Sequence, residues 1–545
     1  MRYRYFEIVT LFTSLMVLML FGIVVLQSLL ARPIYSFDFS ISIDYYTSVL
    51  SDSRFLRAFM NTAIMALIMT VVSVSLGLIL SIAIHKAGIP LAGFLEPFIT
   101  IPMFISPVIW GFAWNYAYGS SGFLPILGRF DIVVVGIITG FVHVPHAYAI
   151  ISSAMLSIDS SLEEVAKIHG AGSKALLLRI VIPLIMPSII FSTVLLLILG
   201  IEQFGIPLVL LAPWGEDVLT TYLYSIYNAY VSNPYPRMAV VASIMLYITV
   251  SLLIVQRYIV LRESRRFVTI GERGRGFYVV QLSMGARVFL LILVLLYIVF
   301  TIIVPLSSIV LRSLVPLYGS RMGSISFDAY VNILGSTYYR GIIINTLVVS
   351  LIASILAVIL YLSISITAVR SSNRFLSTVA DITASLPRAM PSLVAGLAFL
   401  WIYLLTPLRT IMYTYMGLAL AYVTIWSALG VRIIMGSIIQ ISRELENVAL
   451  IHGATPTQVV VRILAPLLSR SLLITWLLVF ILSIREYSIP LFIATSGTQV
   501  IGSSIVILLG SGDLGTIAGL STISLAISSL LAIAIFRLGW KPYGG

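Results

Sequence analysis

Long apolar runs recur along the whole chain, separated by short segments that contain most of the charged residues, glycines and prolines. A run of about 20 apolar residues is long enough to cross the roughly 30 Å hydrocarbon layer of a bilayer as an α-helix. The pattern predicts twelve transmembrane helices, at residues 8–30, 60–84, 95–118, 133–156, 185–211, 238–260, 288–311, 342–368, 389–406, 413–437, 470–494 and 514–536.

Proline interrupts two of the predicted spans. Pro102 and Pro107 lie in the third span, and Pro387 and Pro391 lie in or beside the ninth. Proline is tolerated in a membrane helix where neighbouring helices satisfy the backbone groups that it frees. We therefore keep both segments as spans, although their limits are the hardest of the twelve to define.

Composition supports an all-α integral membrane protein. Hydrophobic residues make up 60% of the 545-residue chain and charged residues only 10%, whereas soluble domains carry about a quarter charged residues. The chain has no cysteine, which excludes disulfides, thiolate metal sites and a cysteine nucleophile. The first apolar run follows Arg2 and Arg4 and is too long for the core of a signal peptide, so we expect an uncleaved first span.

The distribution of charge predicts the orientation. The net charge is +12, and most cations fall in the loops of one side, which is typical of cytoplasmic loops. This places both termini in the cytoplasm of a multi-pass protein in the cell membrane. No basic helix with interleaved aromatic residues occurs, so we expect a lipid bilayer and no nucleic acid as a partner. The cations assigned to the cytoplasmic side are Lys86, Lys167, Lys174, Arg179, the 262–287 cluster, Arg370, Arg374, Arg388, Arg443 and Arg462.

The two halves of the chain repeat one design. Residues 162–184 and 445–467 are identical at 12 of 23 positions with a constant offset of 283, and LEEVAKIHGA returns as LENVALIHGA. Asn61-Thr62 and Asn345-Thr346 recur at nearly the same offset. We predict two parallel six-helix repeats, at 1–261 and 288–545, joined by a cytoplasmic linker at 262–287. Parallel repeats of this kind usually enclose a transport path between them.

The repeated segment lies in the loop between the fourth and fifth spans of each half. Its first part predicts a short amphipathic helix, with Ser160 or Ser161 as the N-cap and Gly170 as a turn or C-cap. A second short helix is expected to run to Pro183, where the fifth span begins. The two helices form a compact projection, which suits docking into a groove on a soluble partner.

The pattern Glu-x-Ala-x-x-x-Gly-Ala followed by an apolar stretch and a proline resembles the cytoplasmic loop of binding-protein-dependent ABC importer permeases. The resemblance covers essentially the whole chain and implies the type I ABC importer transmembrane fold. It implies two ATP-binding cassette subunits docked on the loops at 162–183 and 445–466, and an extracytoplasmic solute-binding protein. ATP and Mg²⁺ would be bound by the partner subunits, and no cofactor or metal by this chain.

The resemblance assigns ATPase coupling to twelve residues of the two loops. The second copy departs from the pattern, with Asn447 where the glutamate is expected and Glu446 just before it, which weakens an ion pair there but not docking. The fused arrangement resembles permeases of the ferric-iron type, with ferric iron, thiamine or phosphonate as candidate solutes. The twelve residues are Glu163, Glu164, Ala166, Gly170, Ala171, Pro183, Glu446, Asn447, Ala449, Gly453, Ala454 and Pro466.

Four polar residues lie inside predicted spans. Glu202 and Gln203 lie in the fifth span, and Arg485 and Glu486 occupy the matching positions in the eleventh. Charged groups at this depth are costly and usually functional. They are candidates for the translocation path. An ion pair of Arg485 with Glu202 or Glu486 that holds the halves together is the other interpretation.

The sequence carries no catalytic constellation, so we expect a transport subunit and not an enzyme. The run 170–174 lacks the ending of a phosphate-binding loop. One alternative is a secondary transporter with parallel repeats, coupled to protons or sodium through buried carboxylates such as Glu202 and Glu486. It would leave the two matching loops unexplained. Another alternative is a membrane enzyme or scaffold, against which the absence of a catalytic cluster argues.

Overall fold

The computed structural model describes residues 3–229, 233–264, 280, 282–315, 317–318, 321–322 and 324–537. Almost all of this part of the chain is helical. The exceptions with regular structure are two short antiparallel strands, β1 (Leu317–Tyr318) and β2 (Arg321–Met322), and one isolated bridge between Leu30 and Ile41. The all-α prediction is confirmed.

In the described residues of the first half there are twelve α-helices, three 3₁₀ turns and one π turn. The helices are α1 (Arg4–Ser28), α2 (Asp44–Leu50), α3 (Ser53–His85), α4 (Ala92–Thr100), α5 (Pro107–Tyr118), α6 (Ile132–Leu156), α7 (Ser160–Ile168), α8 (Ser173–Leu176), α9 (Ile182–Ile201), α10 (Gly205–Leu210), α11 (Leu219–Asn228) and α12 (Tyr235–Ser264). The 3₁₀ turns are Ile34–Ser36, Ile101–Phe104 and Ala212–Trp214, and a π turn covers Leu177–Val181.

The second half repeats this order. Its helices are α13 (Met284–Ile298), α14 (Val304–Leu314), α15 (Asp328–Gly335), α16 (Thr337–Arg370), α17 (Arg374–Ser385), α18 (Ser392–Leu405), α19 (Arg409–Met412), α20 (Tyr415–Ile439), α21 (Arg443–Ile451), α22 (Pro456–Val459), α23 (Ala465–Leu467), α24 (Ser469–Ile484), α25 (Pro490–Ile493), α26 (Ile501–Leu509) and α27 (Leu514–Arg537). Its π turns are Val299–Ile303 and Val460–Leu464, and a 3₁₀ turn covers Leu386–Ala389.

The number of membrane spans agrees with the prediction. Within the described residues, nine helical segments are long and apolar enough to cross a bilayer, and three strongly bent helix pairs raise the number to as many as twelve. The proline-interrupted third and ninth spans are two of these pairs, bent by 111° and 114°. Proline forces these bends because its ring disfavours a continuous helix.

The fifth span differs from its predicted limits of 185–211. It is one apolar segment from Ser173 to Ile201, after which Glu202 and Gln203 separate it from the short helix α10. The corresponding segment of the second half is bent by 79° between Leu467 and Ser469. Residues 182–184 therefore do not separate a second short helix from the span in the first half. A π turn precedes the proline in both halves, so it does not account for the difference.

Each half has the same helical core. The helix α3 packs on α6 and α9, and α16 packs in the same way on α20 and α24. Small residues allow the close approach, as is common between membrane helices. Gly77 of α3 lies against Ala147 of α6, and in the second half Gly430 of α20 lies against the ring of Tyr361 on α16.

The extra first helix of each half packs against the opposite half. The helix α1 contacts α16, α17 and α18, and α14 contacts α5. Thr10 of α1 donates a hydrogen bond to Thr367 at 2.9 Å. The repeat boundaries at 261 and 288 stay a prediction. The helix α12 continues to Ser264, and residues 265–279 and 281 of the expected linker lie outside the described residues.

Candidate functional site

The two repeated loops lie on one face of the molecule, the face where α1 begins and α3 and α16 end, which we call the N-terminal face. Each loop forms a nine-residue helix, α7 or α21. The N-cap of α7 is Asp159, not the predicted Ser160 or Ser161, and its carboxylate accepts a hydrogen bond from the Ser161 N–H at 2.9 Å. Ser442 caps α21 in the same way. Asp159 provides a charged acceptor at the positive end of the helix.

Both helices end in the same backbone motif. Gly170 and Gly453 adopt φ values of +84° and +85°, which glycine reaches without the strain that other residues incur. The next residue then donates to the carbonyl five positions earlier, Ala171 to Ala166 and Ala454 to Ala449, each at 3.0 Å. These are Schellman motifs. The motif alanines and glycines thus define where each loop helix stops.

A buried ion pair holds the inner side of each loop helix. Lys86 at the end of α3 contacts both carboxylate oxygens of Glu163, at 2.7 and 2.9 Å, and Glu163 is fully buried. Burial raises the pKa of the Glu163 carboxyl, and this effect exceeds the lowering by the hydrogen bonds and charge of Lys86. In the second half, Arg370 at the end of α16 contacts Glu446 at 2.7 Å. These acidic residues therefore bind the loops to the rest of the protein.

The opposite side of each loop helix is exposed and apolar. Ile168 and Ile451 are both 82% exposed, and Val165 and Val448 are also exposed. Leu162 and Leu445 extend each ridge by one turn. Glu164 and Asn447 lie on the exposed side as well. Exposed apolar ridges outside the membrane usually mark a protein contact.

The prolines that close the predicted loops follow the two π turns. Pro183 lies at the second position of α9, and Pro466 at the second position of α23. A missing N–H costs little in the first turn of a helix. Pro466 is exposed, whereas Pro183 is half-buried. The two loops match in their first helices and diverge at these prolines, where only the second half is sharply bent.

The start of each extra span is anchored beneath the loop of the opposite half. The Tyr3 hydroxyl, next to α1, donates to Glu446 at 2.7 Å. The Val280 N–H, shortly before α13, donates to the Lys86 carbonyl at 2.8 Å. Sequence reasoning missed both contacts. The basic residues Lys86 and Arg370, which recur 284 positions apart at the ends of equivalent spans, were the signal for the ion pairs.

The four intramembrane polar residues lie where the halves meet. Glu202 pairs with Arg388 of the other half at 3.9 Å. Arg485 donates to the carbonyl of Met103 in the first half. These contacts are equivalent, because Met103 and Arg388 occupy the same position in the two proline bends. These contacts join the halves, and a role of the four residues in the translocation path stays a prediction.

Gln203 and Glu486 are held by different partners. The Gln203 amide nitrogen lies 2.8 Å from Nε2 of His143, whose Nδ1 lies 2.9 Å from the Thr139 carbonyl. One oxygen of Glu486 accepts from the backbone N–H groups of Tyr487, Ser488 and Ile489. The Tyr487 hydroxyl accepts a hydrogen bond from the Gly205 N–H across the interface at 2.9 Å. The Tyr487 ring stacks on Phe204, with centroids 5.9 Å apart.

The face opposite the loops carries two cavities of about 360 and 340 Å³. Both are bordered by the ion pair of Arg54 and Asp217, whose atoms are 2.7 Å apart. Arg57, Asn61 and Glu216 also line the second cavity. In the described part of the chain, no group of three or more His, Asp or Glu side chains is arranged to hold a metal ion.

Comparison with known proteins identifies relatives of both halves. The family model described as binding-protein-dependent transport system inner membrane component matches residues 73–265 and 359–539. A ferric transport system permease protein of Actinobacillus pleuropneumoniae is 23% identical over 508 residues, which cover 90% of this chain and 71% of the relative.

Two further relatives match shorter parts of the chain. A molybdenum transport system permease protein of Mycobacterium tuberculosis is 27% identical over 195 residues, 34% of this chain and 72% of its own length. A putative 2-aminoethylphosphonate transport system permease protein of Salmonella typhi is 25% identical over 245 residues, 42% of this chain and 82% of its own length. The repeat is thus related to single-unit as well as fused permeases.

Proposed function

This chain belongs to the family of binding-protein-dependent transport system inner membrane components, and we propose that it forms the complete membrane channel of an ATP-driven importer. It is a multi-pass membrane protein and a transport component. We propose in addition that partner subunits hydrolyse ATP to drive transport into the cytoplasm. The observation that carries it is the pair of matching loop helices, each with one buried acidic side and one exposed apolar ridge.

Two ATP-binding cassette subunits dock on this chain, one on α7 and one on α21. The equivalent ridges around Ile168 and Ile451 support this number, because equivalent surfaces bind equivalent partners. Lys86 and Arg370 hold the inner acids, so a movement of either helix is passed to the end of α3 or α16. ATP and Mg²⁺ are bound by those subunits, and this chain binds no cofactor.

The N-terminal face is cytoplasmic, and both termini lie on that side. The excess of cations near this face supports the orientation. An extracytoplasmic binding protein then delivers solute to the opposite face. The cavities beside Arg54 and Asp217 offer polar contacts for it there.

Transport follows from a change in how the halves meet. ATP binding on the partner subunits draws α7 and α21 together and rocks the halves between two states, a two-state change driven by a distant ligand. The contacts Glu202 to Arg388 and Arg485 to Met103 join the halves at equivalent places. They are therefore the contacts that must rearrange when the path opens.

The candidate solutes are ferric iron, thiamine and phosphonates. Relatives are named for ferric, molybdenum and aminoethylphosphonate transport, so similarity alone does not rank one of them above the others. The solute specificity therefore depends on the side chains along the interface of the halves.

Purification of the complex tests the proposal. We expect the chain, taken from its native membrane in mild detergent, to bring with it an ATPase at two copies per chain. The double variant Ile168→Ala/Ile451→Ala removes the exposed side chains of both ridges and should reduce ATPase recovery at least several-fold. Bulky replacements of Gly170 and Gly453 should do the same, because a positive φ disfavours any side chain there.

The matched control is Phe375→Ala, which truncates an exposed apolar residue of α17 outside both loop helices. It should leave ATPase recovery unchanged. A chain that is purified alone and accumulates solute against an ion gradient would contradict the proposal and support the secondary-transporter alternative.

A further inference from the structure

Polar side chains of both halves lie close together where the halves meet, and we call Glu202, Gln203, His143, Arg388 and Arg485 the interface cluster. The residues come from both halves: three from α6 and the end of α9, and two from the second half. Arg388 and Arg485 both lie close enough to His143 to interact with it electrostatically.

Gln203 presents an acceptor in a fixed direction. The Thr139 carbonyl requires a hydrogen on Nδ1 of His143, so Nε2 of the neutral ring accepts the hydrogen bond of the Gln203 amide nitrogen. This arrangement fixes the orientation of the amide. Its oxygen is buried and has no hydrogen-bond partner among the described residues.

Glu202 presents a second acceptor beside the first. One carboxylate oxygen faces Arg388 at 3.9 Å. The other oxygen is buried and has no hydrogen-bond partner in the described part of the chain. A buried acceptor without a partner costs roughly 1–3 kcal/mol, so two of them on consecutive residues require a physical reason.

Arg388 presents unused donors next to these acceptors. Its side chain is 26% exposed, and its guanidinium forms no hydrogen bond with any described residue. Contact with Glu202 at 3.9 Å is too long for one. Polar groups buried in a membrane domain normally find partners or line a water-filled path. Part of the Arg388 side chain is therefore accessible to a molecule outside the packed protein.

We propose that the interface cluster binds the transported solute, and that this solute is a small oxyanion that also carries N–H or O–H donors. The guanidinium of Arg388 matches the planar arrangement of carboxylate, phosphonate or phosphate oxygens. The free oxygens of Glu202 and Gln203 accept from the donors of the same molecule. Arg485 adds a second positive charge, whereas Glu486 is already occupied by three backbone N–H groups. The inference rests on the proposed function and extends it to the class of solute.

Ligand titration of the full chain in lipid nanodiscs tests the site. The probes are 2-aminoethylphosphonate, which has both an oxyanion and N–H donors, methylphosphonate, which lacks the amine, and choline, which has a cation and no oxyanion. We expect saturable thermal stabilisation in that order of affinity, with none from choline. Arg388→Gln should raise the apparent Kd of both phosphonates about tenfold or more. Glu202→Gln should abolish the preference for the amine while methylphosphonate still binds.

The matched control is Arg432→Gln. Arg432 is paired with Asp381 at 2.9 Å on the same half but is not part of the interface cluster, so its loss should leave both Kd values unchanged. The proposal is overturned by the absence of saturable stabilisation by either phosphonate, by equal stabilisation from choline, or by an unchanged Kd in Arg388→Gln. The titration needs no ATPase. A chain that binds phosphonates but recruits no ATPase would overturn the importer proposal and leave the binding site standing. A chain that recruits the ATPase but binds no phosphonate would overturn the binding site alone.

Discussion

At the scale of single residues, small side chains set how closely the core helices of each half approach. A Cβ added to Gly430 would lie 2.3 Å from a ring carbon of Tyr361, far inside contact distance. Tyr361 is fully buried and donates its hydroxyl hydrogen to the Val423 carbonyl. The ring therefore has no room to move away. Gly430 is required here for space and not for backbone freedom, since its φ is not positive.

We expect Gly430→Ala to destabilise the protein by about 1–3 kcal/mol, the usual cost of overpacking. Gly436→Ala on the same helix is the matched control, because nothing lies within 4 Å of its added Cβ. Alanine favours a helix over glycine by up to about 1 kcal/mol, so the control should be neutral or stabilising. Melting temperatures in the same detergent measure both. Equal melting temperatures for the two variants would contradict this account of the α16–α20 contact.

At the scale of elements, each loop helix is fixed by the end of a span in its own half and by a segment that leads into the opposite half. Glu446 accepts from Tyr3 and pairs with Arg370. The helix α21 is thus held between α16 and the start of α1. A loop helix that transmits force needs such rigid support on its inner side, because an unsupported helix would tilt under load and not move α16.

Tyr3→Phe removes one hydrogen bond to the buried Glu446 and keeps the ring. Hydrogen bonds to charged groups contribute about 1.5–3 kcal/mol, so we expect a loss of that order in the free energy of unfolding. The matched control is Tyr5→Phe, since Tyr5 is two residues away and largely exposed. Thermal or denaturant unfolding of the two variants measures the difference. An unchanged Tyr3→Phe variant would show that α21 does not depend on the N-terminal segment.

The sequence predicted the elements better than their contacts. The spans follow from apolar length alone, and the loop helices follow from a segment repeated almost unchanged. The bends at Pro102 and Pro387 were visible as interruptions, but their angles depend on what packs around them. The pairing of Glu202 with Arg388 was not predictable from alignment of the halves, because alignment matches equivalent positions and this contact joins non-equivalent ones across the interface.

At the scale of the whole molecule, the halves are joined by the covalent chain and also by the first helix of each half, which packs against the opposite half. The helix α1 lies on α16, α17 and α18, and α14 lies on α5. Thr10 and Ser14 of α1 form hydrogen bonds with Thr367 and Thr383 of the opposite half. The two halves should therefore assemble without a covalent connection.

We expect a chain divided within residues 265–279 and co-expressed as two pieces to reassemble, so that a tag on the first piece recovers the second. Thr10→Leu should reduce this recovery several-fold, because Thr10 is fully buried against α16 and the larger side chain overpacks the contact by about 1–3 kcal/mol. Thr13→Leu makes the same chemical change on the same helix, where the hydroxyl donates to the Val9 and Thr10 carbonyls of its own helix, and recovery should be retained. Equal recovery with both variants would mean that α1 does not hold the halves together. The association would then come from the contacts at the interface cluster and the proline bends.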